Sequence, residues 1–257
     1  LYRKFFSNRP ILKNKQEIEI LRKANAIVAE ILLALKEEVK PGKNTLEFEE
    51  IALKLCEKRK VKPAFKGYRG YPYAVCVSVN EVVVHGMPKK EKILKEGDIV
   101  SFDFGVIYEG YVGDAALTVG VGEISEEAKR LLKVTEEALY KGIEKAHFGN
   151  RIGDISNAIE RHVTAHGFNV IREFVGHGIG RNLHEPPEVP NFGKPGKGPK
   201  IEIGMVLAIE PMVSAGNYEV EILEDGWTAV TKDRSLAAHF EHSVAITPKG
   251  PEILSKV

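Results

Sequence analysis

The feature that most constrains this chain is a run of alternating residues with two acids set inside it. Val100, Phe102, Phe104 and Val106 alternate with Ser101, Asp103, Gly105 and Ile107. Glu109-Gly110 punctuates the run, and Tyr111 to Val119 follows. A period of two on both sides of a Glu-Gly pair predicts a β-hairpin with a two-residue turn. Tyr108 then faces Tyr111, Asp103 faces Ala116, and Asp114 faces Gly105. Both aspartates leave the same face as diagonal neighbours, with α-carbons about 7–8 Å apart. A slip of one residue would put them on opposite faces. Aspartate is disfavoured in strands, and these two lie among Phe102, Phe104, Ala115, Ala116 and Leu117. Burying two carboxylates together demands cations. On these residues alone, a metal site stands only modestly ahead of structural salt bridges.

The rest of the chain reads as helices and strands. Residues 1–13 form an irregular arm. Asn14 with Glu17 caps a helix whose apolar stripe is Ile18, Leu21, Val28, Ile31, Leu32, Leu35 and Val39. Pro41-Gly42 stops it. Asn44 with Glu47 caps a second helix with Phe48, Ile51, Ala52 and Leu55 inward. Val75, Val77 and Val79 mark a strand. A third helix runs from Ser125 to about Ala146, and a fourth from near Asp154 to Gly167. Strands are expected at Val170–Val175, Met205–Val213, Tyr218–Leu223, Trp227–Thr231 and Ser243–Thr247, with residues 186–200 a Gly/Pro/Lys-rich loop. The order helix, helix, strands occurs twice, and Gly149 lies 107 residues after Gly42. This predicts one catalytic domain, residues 14–257, built from pseudo-halves at about 14–120 and 121–257, with a site in the crevice between them.

Three further residues could join the aspartates. His177 lies in Gly176-His177-Gly178-Ile179-Gly180, where the glycines leave the imidazole unobstructed. Glu210 ends the apolar run Met205 to Ile209, and Glu241 directly precedes a strand. Four carboxylates and one imidazole suit two hard or borderline divalent ions, not a thiolate-rich structural zinc site. His85 and His184, on their residues alone, are ordinary loop histidines. His147, His162 and His166 are placed on helices, where packing is the default. His239 and His242 flank a ligand candidate and receive no role.

The motifs then identify a family. Gly67-Tyr-Arg-Gly-Tyr-Pro-Tyr-Ala-Val-Cys-Val-Ser-Val-Asn-Glu-Val-Val-Val-His-Gly86 resembles type I methionine aminopeptidase. So do Gly176-His-Gly-Ile-Gly-Arg-Asn-Leu-His-Glu185, Leu207-Ala-Ile-Glu-Pro-Met212 and Asp225-Gly-Trp-Thr228. The resemblance covers about residues 14–255. It implies an α/β (α+β) pita-bread fold, two pseudo-symmetric helix-helix-strand halves around a central antiparallel sheet. It implies removal of the initiator methionine from nascent chains when the second residue is small. The implied cofactors are two divalent ions (Co, Mn, Fe or Zn), one on Asp103, Asp114 and Glu241, the other on Asp114, His177, Glu210 and Glu241. A metal-bridging hydroxide would attack the scissile carbonyl, with Glu210 accepting its proton. His184 would stabilise the oxyanion and His85 would contact the scissile nitrogen. Tyr68, Tyr71, Cys76, Leu183 and Trp227 would surround the methionine side chain. Leu183 stands where many relatives carry Phe, and Phe65 where some carry Cys, so the pocket wall differs.

Composition narrows the partners. The 37 basic and 36 acidic residues leave a net charge of +1, which gives nucleic acid and anionic membranes no electrostatic claim. Cys56 and Cys76 cannot build a disulfide framework and read as reduced thiols. No apolar run is long enough for a signal peptide or a membrane span. The expected protein is cytoplasmic and monomeric, and acts on nascent N-termini, including at the ribosome. The rivals are an Xaa-Pro peptidase of the same fold, which normally carries a large extra N-terminal domain, and a non-catalytic pita-bread binding protein, which loses metal ligands.

Overall fold

The structure, a computed structural model, describes residues 9–256. The first eight residues of the expected arm therefore lie outside the described residues. Residues 9–13 carry no helix or strand, yet their end is anchored. Lys13 is buried, its Nζ lies 2.6 Å from Glu185 Oε2, and its backbone N–H donates to Gly204 O.

Helix α1 (Lys15–Glu37) starts at Asn14 with the expected reciprocal bonds to Glu17, and ends before Pro41-Gly42. Helix α2 (Leu46–Arg59) follows. Asn44 and Glu47 exchange the two expected bonds, although the residue before the helix is Thr45. Its inner face differs from the expectation. Phe48, Glu49, Ala52 and Cys56 are buried, whereas Ile51 and Leu55 are only partly so. The reason is Glu49, whose carboxylate accepts from the backbone N–H groups of Ala74 and Val75 and so turns that side inward.

Helices α3 (Glu126–Ile143) and α4 (Ile152–Ala165) repeat the arrangement. Ser125 caps α3. The helix stops at Ile143, short of Ala146, so His147 lies beyond it. The repeat is visible in individual bonds. Asn44 bridges Ile93, and 107 residues on, Arg151 bridges Lys200. Gly42 N–H donates to Leu94 O, and 107 residues on, Gly149 N–H donates to Ile201 O. Both glycines have φ near +90°, a conformation that side chains resist.

Between the helix pairs runs a nine-stranded, wholly antiparallel sheet. Its main path is Lys62–Pro63, Ile99–Tyr108, Tyr111–Gly120, Glu241–Thr247, Val206–Ile209, Gly176–Gly178, Glu185–Val189. Val75–Val79 also pairs with Ile99–Tyr108, and Gly250–Ile253 with Glu241–Thr247. Two three-stranded sheets complete the described strands, one of them joining Val82–Val84, Ala229–Thr231 and Val220–Ile222.

Several expected strands are shorter or divided. Val170–Val175 reduces to Asn169–Val170. Met205–Val213 is two strands in different sheets, Val206–Ile209 and Met212–Ser214, split where Pro211 lacks an N–H for the ladder. The expected loop 186–200 opens inside a strand, Glu185–Val189, whose prolines are tolerated because it is the sheet edge. One apolar core underlies α1 and α2, a second underlies α3 and α4, and a third draws on both halves.

Candidate metal centre and substrate pocket

The hairpin has the expected register. Tyr108 pairs with Tyr111, Asp103 with Ala116 and Gly105 with Asp114. Glu109 and Gly110 both have positive φ, as a tight hairpin turn requires. Register then dictates the site. Asp103 and Glu241 both pair with Ala116, from opposite sides of one strand. Asp114 is two residues from Ala116. Ala208 pairs with both His177 and Ser243, and Glu210 is two residues beyond it. Paired residues and residues two apart share a sheet face. Asp103, Asp114, His177, Glu210 and Glu241 therefore project from the same face.

Their distances follow. Ligand atoms of Asp114, His177 and Glu241 lie within 4.8 Å of one another, as do those of Glu210, His239 and Glu241. His177 Nε2 is 3.4 Å from Glu210 Oε1 and 4.0 Å from Asp114 Oδ2. His177 Nδ1 meets the Gly178 carbonyl at 2.9 Å, so Nδ1 carries the proton and Nε2 faces the carboxylates with its lone pair. Asp103 Oδ1, Asp114 Oδ1, Glu241 Oε1 and His239 Nε2 are buried without a hydrogen-bond partner. Burial pushes the Asp103 and Glu210 carboxyls up to about 7. Burial and then neighbouring carboxylates raise Asp114 and Glu241 as well. Such a cluster is costly alone and suits divalent cations, which would take up the orphaned oxygens.

His239 is the residue that the sequence reading left without a role. It is buried, and its Nε2 lies 3.6 Å from Glu210 Oε2. Its sequence signal is its place two residues before Glu241, although the two lie in different strands, Ala237–His239 and Glu241–Thr247, that the fold brings together at Glu210.

The two other expected catalytic histidines flank this cluster. The His184 ring lies 4.3 Å from that of His177, and its Nδ1 is 2.8 Å from the Tyr68 hydroxyl. His85 packs edge-on against Phe174 and Trp227 and has φ +59°. That strained backbone is held by its neighbour: Gly86 O accepts from Val77 N–H, and Gly86 N–H donates to Ser78 Oγ. Burial pulls His85 down to about 4 and His184 further, so both are neutral near pH 7.

Tyr71, Cys76 and Leu183 belong to the core cluster shared by both halves, and Tyr68 and Trp227 pack against it. Cys76 pairs directly with Asp103, which places this apolar wall beside the carboxylates. Tyr71 stands edge-on to Trp227, and its hydroxyl donates to the backbone carbonyl of Gly86. The structure thus brings all the expected metal, catalytic and pocket residues to one region.

Residues 19–248 match the profile of metallopeptidase family M24. A methionine aminopeptidase of Clostridium perfringens is 56% identical over 247 residues, 96% of this chain and 99% of that protein. The crystal structure of a methionine aminopeptidase from Thermotoga maritima superposes with a TM-score of 0.95 at 53% identity, over 97% of this chain and 100% of that one. A prolidase from Pyrococcus furiosus shares the fold at 24% identity and TM-score 0.79, with 96% of this chain covering 66% of that one. The chain belongs to metallopeptidase family M24, on its methionine aminopeptidase branch.

Proposed function

We propose that the chain removes the initiator methionine from nascent polypeptides when the second residue is small. The observation that carries this reading is one sheet face with four carboxylates and a histidine, set against an apolar wall of Tyr71, Cys76 and Leu183. Residues 14–257 act as a single catalytic domain. Asp103, Asp114 and Glu241 would hold one divalent ion, and Asp114, His177, Glu210 and Glu241 a second, with Co, Mn, Fe and Zn all suited to the donor set. When bound, the ions supply an activated water and electrophilic stabilisation of the tetrahedral intermediate.

The chain's own residues do the rest. Glu210, whose Oε1 lies 3.4 Å from His177 Nε2 on the site's face, accepts the proton of the attacking water and passes it on. With Tyr68 as donor in its 2.8 Å bond to His184 Nδ1, the His184 proton sits on Nε2, where it would stabilise the oxyanion. Neutral His85 holds the scissile nitrogen and assists the leaving amine. Tyr68, Tyr71, Cys76, Leu183 and Trp227 enclose the methionine side chain and exclude water. Among the described residues, no helix is long and apolar enough to cross a membrane. We place the enzyme in the cytoplasm as a monomer, meeting nascent N-termini at the ribosome without binding a specific nucleic acid.

The test uses protein stripped of metal and then given Mn(II), Co(II) or Fe(II), with Met-Ala-Ser and Ala-Pro-Ser as substrates. Metal-dependent release of methionine from the first alone supports the reading. Cleavage of the second alone makes this an Xaa-Pro peptidase and overturns the pocket assignment.

A further inference from the structure

We propose a separate surface site for a borderline divalent cation of the zinc class, formed by Glu137 on α3 and His162 and His166 at the end of α4. One ligand atom from each lies within 4.8 Å of the other two. His162 and His166 are one helical turn apart, and their rings are 4.5 Å apart. His162 Nε2 already lies 3.0 Å from Glu137 Oε2. His166 Nδ1 meets the His162 carbonyl at 2.8 Å, which assigns its proton to Nδ1 and leaves the Nε2 lone pair for a ligand.

The frame beneath is rigid. Gly142 on α3 leaves the space that Ile159 of α4 fills, because a Cβ there would come within 2.9 Å of the isoleucine side chain. The helices are thus held close, and Glu137 meets His162 with little rearrangement. Around a tetrahedral zinc with bonds of about 2.0 Å, ligand atoms sit about 3.3 Å apart. His162 and Glu137 nearly meet that spacing, and rotation of the exposed His166 closes the third edge. His166 also lies at the C-terminal end of α4, where the free carbonyls favour a cation. Lys133 Nζ, 3.9 Å from Glu137 Oε1, is the competing charge, and the Arg130 guanidinium, bonded to His166 O, adds a second. An ion here staples α3 to α4, with water in its remaining position.

The inference does not depend on the peptidase reading, and ion counting tests it. Untagged chain stripped by chelator is dialysed against Zn(II) alone, and bound metal is measured per chain. Wild type should take up one ion more than Glu137→Gln, at a half-buried position, or His166→Asn, at an exposed one. Loss of one ligand should weaken that ion's affinity by roughly tenfold or more, since losing even an outer-shell partner costs 10–100-fold. Hydrolysis of a methionyl peptide should be unchanged in both variants. Copper(II) at the same position should show the electron-spin signature of two nitrogen ligands, reduced to one in His166→Asn. Equal ion counts in wild type and both variants would overturn the proposal and leave His162 and Glu137 as an ion pair only.

Discussion

The two halves of the molecule supply the metal centre by different means. The first half offers two ten-residue strands in continuous register, with Asp103 and Asp114 inside them. The second half starts Glu241 in a strand of seven residues but sets His177 in a strand of three and Glu210 just past the end of one of four. A long ladder aims its side chains through backbone pairing alone. A short one needs buried polar side chains to complete its backbone bonds. Asn191 donates to Glu210 O, Ser243 Oγ donates to Asp114 O, and Thr118 Oγ1 both donates to His239 O and accepts from His239 N–H. In the first half Asn25 does the same beside the metal-facing hairpin, its Oδ1 accepting from Asp114 N–H where the central strands part, and Glu49 accepts from Val75 N–H at the start of its strand.

The strongest way to break the comparison is to remove an acid from the ladder. Asp114→Asn should leave the hairpin intact while costing several kcal/mol of transition-state stabilisation, roughly a thousandfold in kcat/KM. Because Asp114 is buried against other carboxylates, the metal-free variant should be no less stable than metal-free wild type. Added Mn(II) should raise the melting temperature of wild type alone. A large loss of metal-free stability would mean that the carboxylate, not the ladder, holds the hairpin.

Next in size is the contact that ties the halves through the chain's beginning. Lys13→Met strands a buried Glu185 charge beside His184 and should cost about 3–5 kcal/mol by urea unfolding. Lys13→Met combined with Glu185→Leu should recover much of the loss.

The same contrast explains what the sequence made legible. The hairpin register, and with it both aspartates, was readable because period-two alternation met an unambiguous turn. Helix starts were readable from Asn14, Asn44 and Ser125. The second half was less so: the apolar pattern of Met205–Val213, broken only by Glu210 and Pro211, does not reveal that Pro211 passes the chain from one sheet to another. Its ligand candidates, His177, Glu210 and Glu241, stood out as polar residues at the ends of apolar runs or between glycines, and the family resemblance then gave each a place in the site. Asn25, Asn191 and the Lys13–Glu185 pair carried no signal at all. Their roles depend on partners 19 to 172 residues away. His239 was visible by spacing, but the spacing had force only once Glu241 was placed on the site's face.

The braces themselves give a smaller test. Asn25→Leu leaves the buried Asp114 N–H without an acceptor and should cost about 1–3 kcal/mol. Asn191→Leu should cost less, because it also removes the orphaned Asn191 Oδ1 and frees a carbonyl rather than an N–H. Urea unfolding of the two variants ranks them. The reverse order would show that the second half leans harder on its brace than its geometry indicates.

The last test lies at the seam, where His85 from the first half packs against Phe174 and Trp227 from the second and each pH unit moves stability by a small amount. Burial holds its pKa near 4, below the ordinary 6.5. The unfolded chain therefore binds this proton first as pH falls. The stability contributed by neutral His85 is fully present above about pH 6.5 and is lost as pH drops towards 4, at no more than about 1.4 kcal/mol per pH unit. His85→Gln removes the titrating group while keeping a polar side chain. In metal-free protein, unfolding free energy measured from pH 7 to pH 4 should fall less steeply for the variant than for wild type. Above pH 7 the two curves should run parallel. Equal slopes between pH 6.5 and 4 would mean that the seam opens enough to solvate His85, and that the halves are joined more loosely than their shared apolar core indicates.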